Sequence, residues 1–292
     1  MKTALVFGAS GQIGVPLLVR LNAAGWHVIA VSRQANTRQA NTDVPGLHWL
    51  CGDLDRVDGL PAAVDAIFNC GPLDLFARWH ADARLQAPRV VTFGSTSARS
   101  KQDSGDDGER DVAQRLRNAE ALLFSTAMQR GAHATVLRPT LVYGAGRDQT
   151  LTRIARMARR WNRFVLPRHA NGLRQPVHVD DLADAAWSAC NASASHGKGY
   201  DLPGGETLAY REMVQRLLAC MQPAPRLLEV PMPLFRGMLG AAQARGLAAG
   251  LTPAAVARMR EDLVFDIEPA RRDFGYAPRT FAPRADMFVA GD

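Results

Sequence analysis

Residues 1–14, MKTALVFGASGQIG, decide the fold. Thr3-Ala4-Leu5-Val6-Phe7 is a continuous apolar run of strand length, the pattern of a strand buried on both faces. Gly8, Gly11 and Gly14 follow at GxxGxxG spacing, and Ile13, Leu17, Leu18 and Leu21 continue at helical spacing. Strand, glycine turn and helix in this order wrap a dinucleotide pyrophosphate. Gly8 permits the sharp turn, Gly11 lets the backbone approach the phosphates, and Gly14 lets the helix lie close to the strand. The helix N-terminus adds main-chain N–H groups and a partial positive charge. Ser10, Gln12 and Ile13 complete the expected phosphate-binding set.

The same rhythm continues outward. Strands are expected at 3–7, 27–31, 47–51, 65–69, 89–93 and 133–138, with helices at 13–24, 74–86 and 109–130. This alternation predicts an α/β fold: a Rossmann-like doubly wound parallel sheet. After residue 145 the rhythm loosens into a smaller mixed α/β C-terminal substrate region. There, strands are expected at 163–166, 175–179 and 227–230, and helices at 149–160, 180–192, 208–221, 253–264 and, poorly specified, within 233–250. The domain division is therefore 1–145, with 175–192 returning to it, and 146–292. Segment 95–111 is polar and reads as a loop just past the fifth strand, at the edge where open sheets hold their ligands.

Composition narrows the function class. The chain has 292 residues, 47% apolar and 22% charged, an ordinary globular balance that argues against disorder. No apolar run approaches the ~20 residues of a membrane span, and no secretory leader is expected. Cys51, Cys70, Cys190 and Cys220 lie far apart without CxxC spacing, which points to reduced thiols, a cytoplasmic location and no metal. The net charge of +7 is nearly all arginine, since Lys2, Lys101 and Lys198 are the only lysines. Arginine suits an anionic cofactor or substrate, although most of these side chains read as solvated surface. The cluster Arg153, Arg156, Arg159, Arg160 and Arg163 has helical spacing with only Trp161 and Phe164 as nearby aromatics, so nucleic acid is the least supported partner.

Beyond the glycine turn, four further segments carry a resemblance. They are Gly52-Asp53-Leu54-Asp55, Asn69-Cys70-Gly71, Leu137-Arg138-Pro139-Thr140-Leu141-Val142-Tyr143-Gly144, and Pro176-Val177-His178-Val179-Asp180-Asp181. With them the chain resembles the extended short-chain dehydrogenase/reductases, the group that includes nucleotide-sugar epimerases and dehydratases. The resemblance implies that Asp53 and Leu54 meet the adenine, that Asn69, Cys70 and Gly71 follow the fourth strand beside the cofactor, and that Pro139 and Thr140 lie beside the nicotinamide. It also implies a small-molecule substrate, for which Arg147 and Arg174 are candidates, and a homodimer through the long helices flanking the sheet. Plain structural readings stand beside these. Asp53 closes a turn or caps a helix near Val57, Pro139 stops a strand, and Asp180 caps helix 181–192.

Two departures from the family matter. The second strand ends in Ser32-Arg33, with no acid before Asp43, so a 2′-phosphate is expected and NADP is favoured over the alternative, NAD; Arg38 is a second candidate for that phosphate. The family's Tyr-x-x-x-Lys pair is missing, because the only tyrosines are Tyr143, Tyr200, Tyr210 and Tyr276. Registering Ala119-Glu120 on the family helix puts Val112 and Leu116 at the dyad positions. Substitute proton donors are Ser95, Thr96, Lys101 and Tyr143. Three functions remain open: an oxidoreductase or isomerase acting on a nucleotide-sugar or other anionic or carbonyl substrate, a non-catalytic NADP(H)-binding sensor or regulatory protein, and, last, a nucleic-acid binder.

Overall fold

A computed structural model describes residues 2–40, 44–244, 246 and 252–289. Asp43, part of the cofactor reading, lies outside them. The chain forms two compact units, Met1–Thr140 with Val179–Leu202 and Asp266–Pro278, and Leu141–His178 with Pro203–Phe265 and Arg279–Asp292. The first unit thus ends its opening run at Thr140 rather than at 145, takes back a segment that starts at Val179, and gains a third segment from the C-terminal part.

In chain order the elements of the opening run are β1 (Thr3–Phe7), α1 (Gly14–Ala23), β2 (His27–Ser32), α2 (Ala35–Ala40), β3 (Leu47–Cys51), β4 (Ala66–Asn69), α3 (Leu73–Asp82), β5 (Arg89–Phe93), α4 (Ser97–Ser100), α5 (Asp107–Gln129) and β6 (His133–Pro139). The chain then adds β7 (Val142–Tyr143), α6 (Leu151–Trp161), β8 (Arg163–Pro167), β9 (Leu173–Arg174) and β10 (Val177–His178). It returns with α7 (Val179–Asn191) and β11 (Lys198–Leu202). Last come β12 (Leu208–Ala209), α8 (Tyr210–Ala219), β13 (Arg226–Val230), α9 (Met232–Ala244), α10 (Pro253–Arg258) and α11 (Glu268–Phe274).

The first unit is built on a seven-stranded sheet in the order β11-β6-β5-β4-β1-β2-β3, every pair parallel. Side chains alternate between its faces. Leu5, Phe7, Ile67, Val90 and Val136 pack with α3 and α5 residues such as Phe76, Ala77, Ala119 and Leu123. On the other face Phe68 meets Trp26, which stacks edge-on with Trp187 of α7, and α1 lies beside α7. Strand order reverses between β1 and β4, the switch point where open sheets hold ligands.

One buried charge network ties α5 to the sheet. Arg138 on β6 donates from Nε to Glu120 Oε1 (2.8 Å) and from Nη2 to Glu120 Oε2 (2.5 Å), with Asp201 of β11 3.6 Å away. Arg99 of α4 donates to the other oxygen of Asp201 at 2.6 Å. Gly199 makes room, because a Cβ there would lie 2.4 Å from Arg138 Nη2.

Several expectations change. The helix expected at 253–264 stops at Arg258, the strand expected at 175–179 shrinks to Val177–His178, and α7 already begins at Val179. Asp180 is therefore within the first turn of α7, where its charge suits the helix dipole, rather than at the N-cap. No helix begins near Val57, and Asp53 closes a turn by accepting from the N–H groups of Asp55 and Arg56, both at 3.0 Å. The polar stretch 95–111 contains the short α4 and the start of α5, whose N-cap Asp106 accepts from Glu109 N at 3.0 Å.

Among its described residues the second unit holds three two-stranded sheets, β10-β7 and β13-β8 parallel and β12-β9 antiparallel. α6 and α8 pack around a core that includes Leu151, Ala155, Met213, Leu217 and Phe288.

His80 of α3 gives a pH test. Its ring is buried, and burial together with the nearby Arg130 depresses its pKa to about 4. An unfolded histidine takes a proton below about 6.5, whereas the folded one stays neutral to about 4. The native state therefore loses about 3 kcal/mol as pH falls through that window. Urea unfolding between pH 7 and pH 4 should show that loss, and His80→Leu should flatten it; an equal slope in both proteins would contradict the assignment.

Candidate functional site

The glycine turn sits at the C-terminal end of β1 against the turn after β4. Gly8 has φ +66°, and a Cβ there would lie 2.7 Å from the Cys70 carbonyl carbon and 2.8 Å from Gly71 N. Gly11 N donates to Gly8 O at 2.9 Å, which closes the turn. Gly14 opens α1, and a Cβ on it would be 2.2 Å from Gly8 O. No side chain caps α1 and no acid lies in its first turn. Its N-terminus keeps the electrostatics of an anion site. Gln12 Oε1, buried in the same turn, has no hydrogen-bond partner. A glycine cradle and an uncapped helix start fit a dinucleotide pyrophosphate.

The turn after β4 is held by Asn69, which is fully buried. Its Nδ2 donates to Thr92 Oγ1 (2.9 Å) and to Gly71 O (3.2 Å), while its Oδ1 accepts from Gly71 N (3.0 Å). Cys70 N donates to Phe7 O at 2.9 Å, which stitches the two turns together. Burial pushes the Cys70 thiol up to about 12, so it is not a nucleophile at neutral pH. Leu54 reaches the same turn: a Cβ on Gly71 would lie 3.5 Å from Leu54 Cδ1. The N–H groups of Arg56 and Asp55, then Arg33, hold the Asp53 carboxyl below the usual carboxylate range.

At the end of β2, Ser32 Oγ donates to Ser10 Oγ at 3.3 Å and accepts from Gln34 N at 3.2 Å. Arg33 is exposed beside this pair. Arg38 lies over the Trp49 ring, 5.6 Å from its centroid, with a buried Nε that has no hydrogen-bond partner.

The four proton-donor candidates separate. Thr96 is buried, and both its N and its Oγ1 donate to Pro139 O, at 3.3 and 3.2 Å. It joins the end of β5 to the end of β6. Ser95 is half-buried, and its Oγ accepts from Ser97 N at 3.1 Å, which leaves its O–H free to point elsewhere. Lys101 pairs with Glu109 at 3.6 Å. Tyr143 belongs to the second unit and is 1% exposed, its ring edge-on to His178 (5.1 Å) and Phe281 (5.0 Å). That packing makes it a core residue, not a group presented to a ligand. Thr140 N donates to Leu202 O at 3.2 Å and so joins β6 to β11.

The two substrate candidates also lie in the second unit. Arg147 is exposed. Arg174 is buried, and its guanidinium donates to the carbonyls of Leu173 (2.7 Å), Glu261 (2.8 Å) and Arg258. It fastens the chain after α10. On α5, Val112 and Leu116 are half-buried, and Leu116 packs on the sheet core. The sequence reading missed the Arg138–Glu120–Asp201 network, although Ala119-Glu120 and Arg138-Pro139 had marked two of its members.

Residues 4–96 and 114–202 match the NAD dependent epimerase/dehydratase family. The chain belongs to that family. A relative named 2-alkyl-3-oxoalkanoate reductase, from Stenotrophomonas maltophilia (strain K279a), is 28% identical over 94% of each chain. Among solved structures, the terminal R domain of the myxalamid PKS-NRPS pathway is similar with a TM-score of 0.73 at 19% identity, covering 99% of this chain and 89% of that one. The UDP-glucuronic acid 4-epimerase from Bacillus cereus, in complex with UDP-glucuronic acid and NAD, is similar with a TM-score of 0.69 at 11% identity, covering 98% and 96%. Both likenesses are of fold. None of the chain's four tyrosines lies on α5.

Gly14→Ala tests the cradle. The added Cβ meets Gly8 O and the Ala9 backbone, which cannot swing away as a side chain can. It should cost about 2 kcal/mol by urea denaturation. Gly25→Ala has open space at φ +72° and should cost only about 1 kcal/mol of backbone strain. Equal costs would contradict the close packing.

Proposed function

We propose that this family member is an NADP(H)-dependent oxidoreductase acting on a carbonyl substrate. The observation that carries the reading is the pair of Ser32 and Arg33 beside the glycine turn. The hydroxyl of Ser32 is within reach of Ser10, and the exposed guanidinium stands next to it. From Ser32 to Arg38 no carboxylate is present to receive a ribose 2′-OH, whereas a hydroxyl and a guanidinium fork suit a 2′-phosphate. Gly8 to Gly14 would hold the pyrophosphate, and Asp53 and Leu54 would flank the adenine. A bound nicotinamide supplies hydride exchange with a carbonyl carbon. The name of the Stenotrophomonas reductase supports that direction of chemistry over epimerisation.

Of the two hydroxyls just past β5, that of Thr96 donates to Pro139 O, whereas Ser95 Oγ accepts from Ser97 N and keeps its O–H for another partner. A serine hydroxyl is a weak acid, so its role is to orient the carbonyl oxygen and pass on a proton from water. A second reading rests on a specific observation. α5 carries no tyrosine and no lysine, so the chain also suits a non-catalytic NADP(H)-binding role.

Calorimetric titration with NADPH and NADH checks the cofactor. NADPH should bind at least tenfold more tightly, and Arg33→Ala should weaken NADPH about tenfold while leaving NADH within twofold. Equal affinities in the parent protein would contradict the proposal. Loss of NADPH absorbance with a panel of 3-oxo acids separates the enzyme from the sensor: turnover that falls in Ser95→Ala supports the first, and binding without turnover supports the second.

A further inference from the structure

The second unit contains a cavity of about 520 Å³ that the reading above does not use. Its lining comes from α6, β8, α9, α10 and adjoining residues. It opens to solvent, and its volume falls in the range of binding pockets, about 300–1,000 Å³. Thirteen of the twenty lining residues are apolar, among them Met157, Phe164, Phe235, Met238 and Leu239. The methionines are unbranched and adaptable, which suits a ligand of variable length. Met238 on α9 is 44% exposed, so this wall is apolar on a surface that water still reaches.

The charges in the lining are of one sign. Arg153, Arg163, Arg174 and Arg258 line the cavity, and no aspartate or glutamate does among the described residues. Arg174 is held on backbone carbonyls, but its charge remains within the same wall. Gln149, Thr150, Trp161 and Tyr210 are the other lining residues with N–H or O–H hydrogen-bonding groups. A nucleotide sugar would leave many hydroxyls facing apolar side chains, at a desolvation cost for each. An apolar chain with one anionic end meets both features without that cost.

We propose that this cavity binds a medium-chain fatty carboxylate, its alkyl chain against α6 and α9 and its head group toward the arginines.

The test is calorimetry on the full chain with laurate below its micellar concentration, and with decanoate, dodecanol and UDP. Laurate should bind about fifteenfold more tightly than decanoate, at about fourfold for each methylene. Dodecanol should bind at least tenfold more weakly than laurate, and UDP should give no heat. Met157→Glu should weaken laurate at least tenfold without changing NADPH affinity. Should that variant not fold, Leu239→Glu on α9 is the substitute. Absence of laurate binding, binding of UDP instead, or full laurate affinity in both variants overturns the proposal. NADPH titrated into the same sample separates the two readings: heat from NADPH without heat from laurate removes the cavity proposal alone, and the converse removes the cofactor reading alone.

Discussion

The first unit depends on the contact of one bare backbone with another. Gly8 presses against Cys70 and Gly71 so closely that a single Cβ would overlap the peptide between them. That contact holds the ends of β1 and β4 side by side at the point where strand order reverses. It also fixes where α1 begins, because Gly14 is packed on Gly8 O in turn. The consequence is electrostatic. A ten-residue helix points an uncapped N-terminus at a crevice whose walls are main chain. Asn69 maintains the arrangement from below, with its amide donating twice and accepting once.

Above this frame α5 carries neither a tyrosine nor a lysine. Val112 and Leu116 stand half-buried on it. One turn on, Glu120 forms a two-point ion pair with Arg138. Removing one partner from such a buried pair leaves the other charge stranded, so the pair fixes the position of α5 more than it adds net stability. Asp201 and Arg99 extend the network to β11 and α4. α5 is thus positioned independently of any ligand, and the hydroxyl of Ser95 is the polar group at the end of β5 that its neighbours have not claimed.

The opening run was legible because most of its strands, such as β1, β4 and β5, are largely buried and read as apolar runs. The predicted strands at 3–7, 47–51 and 89–93 coincide with the observed ones. β11 was not legible. Its sequence KGYDL carries Lys198 and Asp201, whose charges are satisfied far away in sequence by Asp273 and by Arg99 and Arg138. Strands of two residues such as β7, β9 and β10 have no period to detect. α10 ends early because the carbonyls of Arg258 and Glu261 turn to accept from Arg174, a contact 84 to 87 residues away in sequence. Of the site, the glycine turn was legible from spacing, and Ser32-Arg33 from the missing acid. The burial of Tyr143 and the architectural use of Arg174 were not, since a motif gives a residue's place in the chain and not its surroundings.

Amide hydrogen exchange with and without NADPH tests the central claim most directly. If the crevice between β1 and β4 grips the pyrophosphate by its main chain, the amides of Ser10 to Ile13 slow on addition of the nucleotide, together with those of Cys70 and Gly71. Exchange that is unchanged there, while other parts of the chain respond, would contradict the account.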